Sequence, residues 1–75
     1  MINKNEIAEK IIYEVKVSEI NMTGKTLIVY YKGIEDLFNI EMNEQNINII
    51  VKELIGRDEV LDVSLDSEGF DVLLY

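Results

Sequence analysis

The chain contains no cysteine, histidine, proline or tryptophan, and of its 75 residues only one is alanine and one arginine. Without cysteine there is no disulfide or thiolate metal site to reinforce the core, and redox chemistry does not constrain the compartment. Without histidine or cysteine, a general base near neutral pH has to be a carboxylate or lysine shifted by burial, and no spacing in the sequence marks one. Paired carboxylates such as Asp58 and Asp62 are the raw material of glycoside hydrolysis, yet so small a domain has little room for the pocket that reaction needs. The expectation is a protein without catalytic chemistry, metal or cofactor. Long apolar runs are missing as well: Leu27–Tyr31 and Ile47–Val51 fall far short of the roughly 20 residues that cross a bilayer. The opening "MINKNEIAEK" lacks the apolar centre and cleavage site of a secretory signal, so a cytoplasmic location is expected. The sequon Asn21-Met22-Thr23 then carries no meaning.

Positive charge is the scarcest commodity. Fifteen carboxylates face seven basic residues, a net charge of −8, which argues against direct nucleic-acid binding and points to a basic partner. The imbalance is local. Residues 1–57 hold nine acids and seven bases, whereas residues 58–75 hold Asp58, Glu59, Asp62, Asp66, Glu68 and Asp71 and no base.

What the sequence does contain is apolar periodicity, enough for one small α+β domain spanning residues 1–75. Asn3 with Glu6 resembles a capping box, followed by a helical stripe of Ile7, Ala8, Ile11, Ile12 and Val15. From Tyr13 to Glu19 the period changes to two, with Tyr13, Val15 and Val17 alternating against Glu14, Lys16 and Ser18, which predicts a strand. "LIVYY" predicts a central strand, apolar on both faces, and Leu37–Met42 a third, with Phe38, Ile40 and Met42 on one side. Asn43 caps a second helix carrying Ile47, Ile50, Val51, Leu54 and Ile55, with Gly56 as its left-handed end. Two further alternating runs, Leu61–Leu65 and Phe70–Leu74, flank the loop "DSEG" and predict a closing hairpin. The predicted order is α-β-β-β-α-β-β, an antiparallel sheet with both helices on one face and the other face wet.

Two motif fragments fail on their surroundings. Gly24-Lys25-Thr26 is the tail of a phosphate-binding loop, but Glu19 stands where the first glycine belongs and a strand comes next where a helix is needed. A hairpin turn at Met22–Lys25 is the reading preferred. Ser64, Asp66, Glu68 and Gly69 mimic part of a calcium-binding loop whose twelfth position is Tyr75 instead of glutamate. Only weak divalent binding at Asp62, Asp66 and Asp71 is left open.

The acidic hairpin has two readings. It is a solvated face that keeps the protein soluble and its edge unpaired, or it is an interface. In favour of the second, Asp62, Ser64 and Asp66 share one face of a strand at intervals of roughly 6.6 Å, comparable to the spacing of adjacent phosphates. Asp71 extends the row across the hairpin, and Asp58, Glu59 and Glu68 flank it. Glu35, Asp36, Glu41 and Glu44 form a second acidic patch. Tyr75, outside the core beside carboxylates, is a typical interface residue. If the last strand is an edge, its amides, Leu73 and Tyr75 also offer a homodimer or strand-addition contact.

Heavy use of Ile, Asn and Lys with one alanine, one arginine and no proline suits an AT-rich genome, such as that of a low-GC Gram-positive bacterium or its phage. As a short, strongly acidic scaffold opening with a helix, three strands and a helix, the chain resembles phage-encoded anti-CRISPR proteins. That resemblance implies an inhibitor that mimics nucleic acid and occupies the basic cleft of a Cas effector. It transfers no individual residue. The other expectation is a small regulatory or adaptor subunit that associates through its strand edge.

Overall fold

A computed structural model describes residues 2–21 and 28–75. Among them the elements run α1 (Lys4–Asn21), β1 (Ile28–Tyr30), α2 (Tyr31–Phe38), α3 (Glu44–Ile55), β2 (Val60–Leu65) and β3 (Gly69–Leu74). The sheet is antiparallel throughout, in the order β1-β3-β2. The α+β class stands, but the predicted order of seven elements does not.

The expected strand at Tyr13–Glu19 is instead the second half of α1. The Asn3 side chain caps the helix start, accepting from the Glu6 N–H at 3.2 Å, and no proline or glycine interrupts the helix between Lys4 and Asn21. Ile7, Ala8, Ile11, Ile12 and Val15 are all buried, as their spacing requires, while Tyr13 is 60% exposed. The alternation read there arose because Tyr13 and Val17, at i and i+4, flank the buried stripe on its outer side. Lys10 joins Glu14 one turn on at 2.8 Å and lies over the Tyr13 ring. That bond to Glu14 is also the main reason its pKa is raised above 10.5.

Of "LIVYY", Ile28–Tyr30 is strand and, among the described residues, stands at the edge of the sheet instead of its centre. Strand pairing ends at Tyr30, and Tyr31 begins α2, whose stripe Tyr31, Ile34 and Phe38 packs on the core. The third predicted strand, Leu37–Met42, is the end of α2 and an unpaired connection. Asn39 closes α2 in the left-handed conformation (φ 54°), and the Ile40 N–H reaches back to the Glu35 carbonyl at 3.3 Å, the 6→1 bond of a Schellman end. Phe38, Ile40 and Met42 do turn toward the core; their alternation reported burial correctly but not a strand. Gly33 hid the helix, because glycine in a helix interior is unfavourable by about 1 kcal/mol against alanine. A β-carbon there would meet nothing within 4 Å, so Gly33→Ala is expected to raise stability by about 0.5–1 kcal/mol. A higher urea midpoint with an unchanged m-value is the result that checks it.

α3 forms where its pattern places it. The Asn43 side chain accepts from the Asn46 N–H at 2.8 Å, and Ile50 and Leu54 are fully buried. Its end differs: Gly56 is right-handed (φ −73°, ψ −8°), not left-handed. Ile55 points outward and is 59% exposed.

The core lies between the helices and one face of the sheet, with α1 against α3 and the sheet, α3 against β2, and α2 against β1 and β3. Arg57 ties α3 to α1 from its position just after α3. It bonds Glu53 at 3.1 Å, lies 3.9 Å from Glu9, and reaches the Asn5 carbonyl at 3.5 Å. Lys16 pairs with Glu59, fixing α1 to the start of β2. The closing hairpin forms as expected, but β3 is its central strand and not an edge, and pairs with β1 as well as β2. The edge and dimer contact assigned to the last strand is therefore withdrawn; among the described residues the outer strands are β1 and β2.

Candidate functional site: the acidic hairpin and the open sheet face

Register decides which way each hairpin side chain faces. Val63 lies opposite Val72 and Leu65 opposite Phe70; Phe70 and Val72 are buried, so this set faces the helices. A bulge at Leu61 resets the alternation: Val60 turns inward beside Leu74 and is buried, and Leu61 is left 49% exposed. Asp62 opposite Leu73 and Ser64 opposite Asp71 therefore lie on the outer face, and β1 extends the second row with Ile28 opposite Asp71. Tyr30, one step further along, is 58% exposed and Leu73 51%.

This arrangement keeps part of the predicted carboxylate row on one face and separates the rest from it. Asp62 and Ser64 share the outer face, and Asp71 lies diagonal to Asp62 on the neighbouring strand, roughly 7–8 Å away by sheet geometry. Asp66 does not continue the row. It is the first loop residue, and its Oδ1 accepts from the Glu68 N–H at 3.1 Å and from the Ser67 hydroxyl at 3.3 Å, a local turn that Asp forms readily. Asp58 and Glu59 stand at the opposite end, in the turn before β2. The acids thus form a band along the hairpin, from Asp58 through Asp62 and Asp71 to Asp66 and Glu68, about 20 Å for six strand residues. Within the band only Glu59 has an ion-pair partner among the described residues, Lys16.

The second patch is spread over local tasks. Glu35 accepts from the Met42 N–H at 2.8 Å and holds the connection after α2. Glu41 accepts from the Asn43 side chain at 3.0 Å, and Glu44 occupies the first turn of α3, where negative charge suits the helix dipole. Asp36 is exposed on α2. Tyr75 comes directly after β3 and is 84% exposed; its backbone N–H bonds the Glu59 carbonyl at 3.1 Å.

Tyr31, read from sequence as a strand residue, locks the hairpin tip to α2. Its ring stands edge-on to Phe70, centroids 5.0 Å apart at 87°, and its hydroxyl donates to the Asp66 carbonyl at 3.0 Å. Burial, and then the nearby Asp66 charge, raise its pKa above the usual 10.0. The apolar residues beside the acids, half-buried Ile28 and exposed Tyr30 and Leu61, were missed because "LIVYY" read as a central strand with apolar groups on both faces and Leu61 as an inward residue.

Asp62, Asp66 and Asp71 do not converge: among the described residues no three His, Cys, Asp or Glu side chains gather to hold a metal ion. No buried side-chain polar atom among them lacks a partner. Gly24-Lys25-Thr26 and the hairpin turn read at Met22–Lys25 lie outside the described residues, although the strand expected to lead into that turn is helical. No described helix is long and apolar enough to cross a membrane. No protein-family model matches the chain, and no match was found among curated proteins or solved structures.

Proposed function

We propose that this is a binding protein without catalytic chemistry, an inhibitor of the anti-CRISPR kind from a phage or mobile element, acting in the bacterial cytoplasm. Its acidic hairpin competes with nucleic acid for a basic site on a nucleic-acid-handling protein, such as a Cas effector. The observation that carries this reading is the band from Asp58 to Glu68, where one ion pair to Lys16 is the sole charge compensation among the described residues. The described elements do not repeat the run of helix, three strands and helix on which the resemblance partly rested. The proposal stands on size and charge.

Surface carboxylates without partners raise the local concentration of a basic protein and steer its approach, and both effects fade as salt screens them. The tagged chain, incubated with extract of its host, is expected to retain a nucleic-acid-binding protein at low salt, release it at high salt, and lose it to added heparin. Reversing Asp62 and Asp71 to lysine is expected to weaken retention by about tenfold or more. A partner that binds equally at both salts and does not handle nucleic acid would overturn the proposal.

The edge of β2, unpaired among the described residues and with Leu61 and Leu65 about half exposed beside it, favours the second reading, a regulatory or adaptor subunit joined by strand addition. In that case the Asp62/Asp71 reversal leaves binding intact.

A further inference from the structure

The outer face of the sheet is not a plain acidic surface. Each of its two carboxylates has an apolar residue directly across the ladder, Leu73 opposite Asp62 and Ile28 opposite Asp71, and Tyr30 and Leu73 are more than half exposed. The helices pack on the other side through Val63, Phe70 and Val72. Ile28, on the same outer face, is half-buried. Apolar side chains left partly open to solvent in one group mark interaction surfaces, and the aspartates beside them set the sign of what binds.

We infer that this face docks an amphipathic, basic α-helix of a partner protein, its lysines or arginines meeting Asp62 and Asp71 and its apolar stripe covering Leu73, Ile28 and Tyr30. The inference deepens the function proposed above, and rests on the part of that reading in which the hairpin meets a protein. The three described strands, about 4.8 Å apart, make a face of one helix's width. A strand would bind at an edge and leave this face uncovered. A second copy of the chain is a poor occupant. Stacking two such faces would bury Asp62 and Asp71 against their own counterparts, and the desolvation of unpaired carboxylates adds to the repulsion between two chains of net charge −8. A purely basic groove would pair with the aspartates but leave the leucine, isoleucine and tyrosine wet.

The test titrates isotopically labelled protein with a helical peptide of about 18 residues, five turns, made of lysine and leucine on opposite faces. A second peptide has the same charge but glutamine for leucine. The leucine peptide is expected to shift the amides of Asp62, Ser64, Asp71 and Leu73 and to bind about tenfold tighter than the glutamine peptide. Asp62→Asn with Asp71→Asn, and separately Leu73→Ser, are expected to weaken it by about tenfold, while Asp36→Asn with Glu41→Gln changes nothing. Dispersion of the amide spectrum reports that each variant folds. Equal binding of the two peptides, shifts confined to the helices, or a dimer in sedimentation that Asp62→Asn with Asp71→Asn tightens would each overturn the inference. Because no nucleic acid enters this titration, the docking face and the nucleic-acid competition fail independently of one another.

Discussion

Replacing Phe70 by alanine is expected to destabilise the protein by about 4 kcal/mol, the largest effect of any single substitution considered. Phe70 is fully buried in the central strand, opposite Val29 of β1 and Leu65 of β2, with the edge of its ring against Tyr31 of α2. Three elements therefore close on one side chain. A domain of 75 residues has a total stability of about 4–11 kcal/mol, so the loss is a large part of the whole. In urea the transition is expected to move to very low denaturant or to lose its native baseline. Tyr31→Phe is the companion measurement, since it keeps the ring contact and removes only the hydroxyl bond to the Asp66 carbonyl, for about 1 kcal/mol. A Phe70→Ala variant no less stable than Tyr31→Phe would refute the placement of Phe70 at the centre of the core.

The second large effect is at Gly69, where the reason is contact and not backbone freedom. A β-carbon there would lie 2.3 Å from the Val29 carbonyl oxygen and 2.8 Å from Ile28 Cγ2. The nearest obstacle is backbone of a paired strand, so no side-chain rotation relieves it. Gly69→Ala is expected to cost about 2–3 kcal/mol, the upper part of the range for overpacking. Because β1 has only three described residues, Ile28–Tyr30, its detachment from β3 is the easiest relaxation. Amide hydrogen exchange is expected to accelerate at β1 and at Tyr31, whose N–H bonds the Glu68 carbonyl beside this glycine at 2.9 Å, more than in α3. Uniform acceleration in both places, or none, would show that Gly69 does not hold β1 in place. Gly33→Ala, with open space around it, is the contrasting case of the same chemical change with the opposite sign.

The helical stripes were the most legible feature of this chain. Ile7, Ala8, Ile11, Ile12 and Val15, and then Ile50 and Leu54, are buried as their spacing indicates, because a helical face is decided by residues only three or four positions apart. The caps at Asn3 and Asn43 are local in the same sense. Short apolar runs misled for a definite reason: Tyr13–Val17 and Phe38–Met42 alternate along the chain, yet alternation is also what the flank of a helix or a half-buried connection presents. Only a ladder partner makes a strand, and neither segment has one among the described residues.

For the candidate site, composition shows the excess of acid in residues 58–75 and the want of histidine and cysteine, and the alternating runs around "DSEG" show the hairpin that carries the acids. Neither determines which carboxylates act together. The bulge at Leu61 resets the facing of β2, and the turn at the hairpin tip engages the Asp66 side chain. The pairing of β3 with both β1 and β2 sets Asp71 beside Ile28 and diagonal to Asp62. The last of these depends on hydrogen bonds between residues some forty positions apart, and the register of the whole sheet is fixed by the collective packing of the core, not by any local run of residues. Charge was thus written in the chain. Its arrangement into an acidic face with apolar neighbours came from the tertiary structure, because only the folded sheet brings β1 against β3.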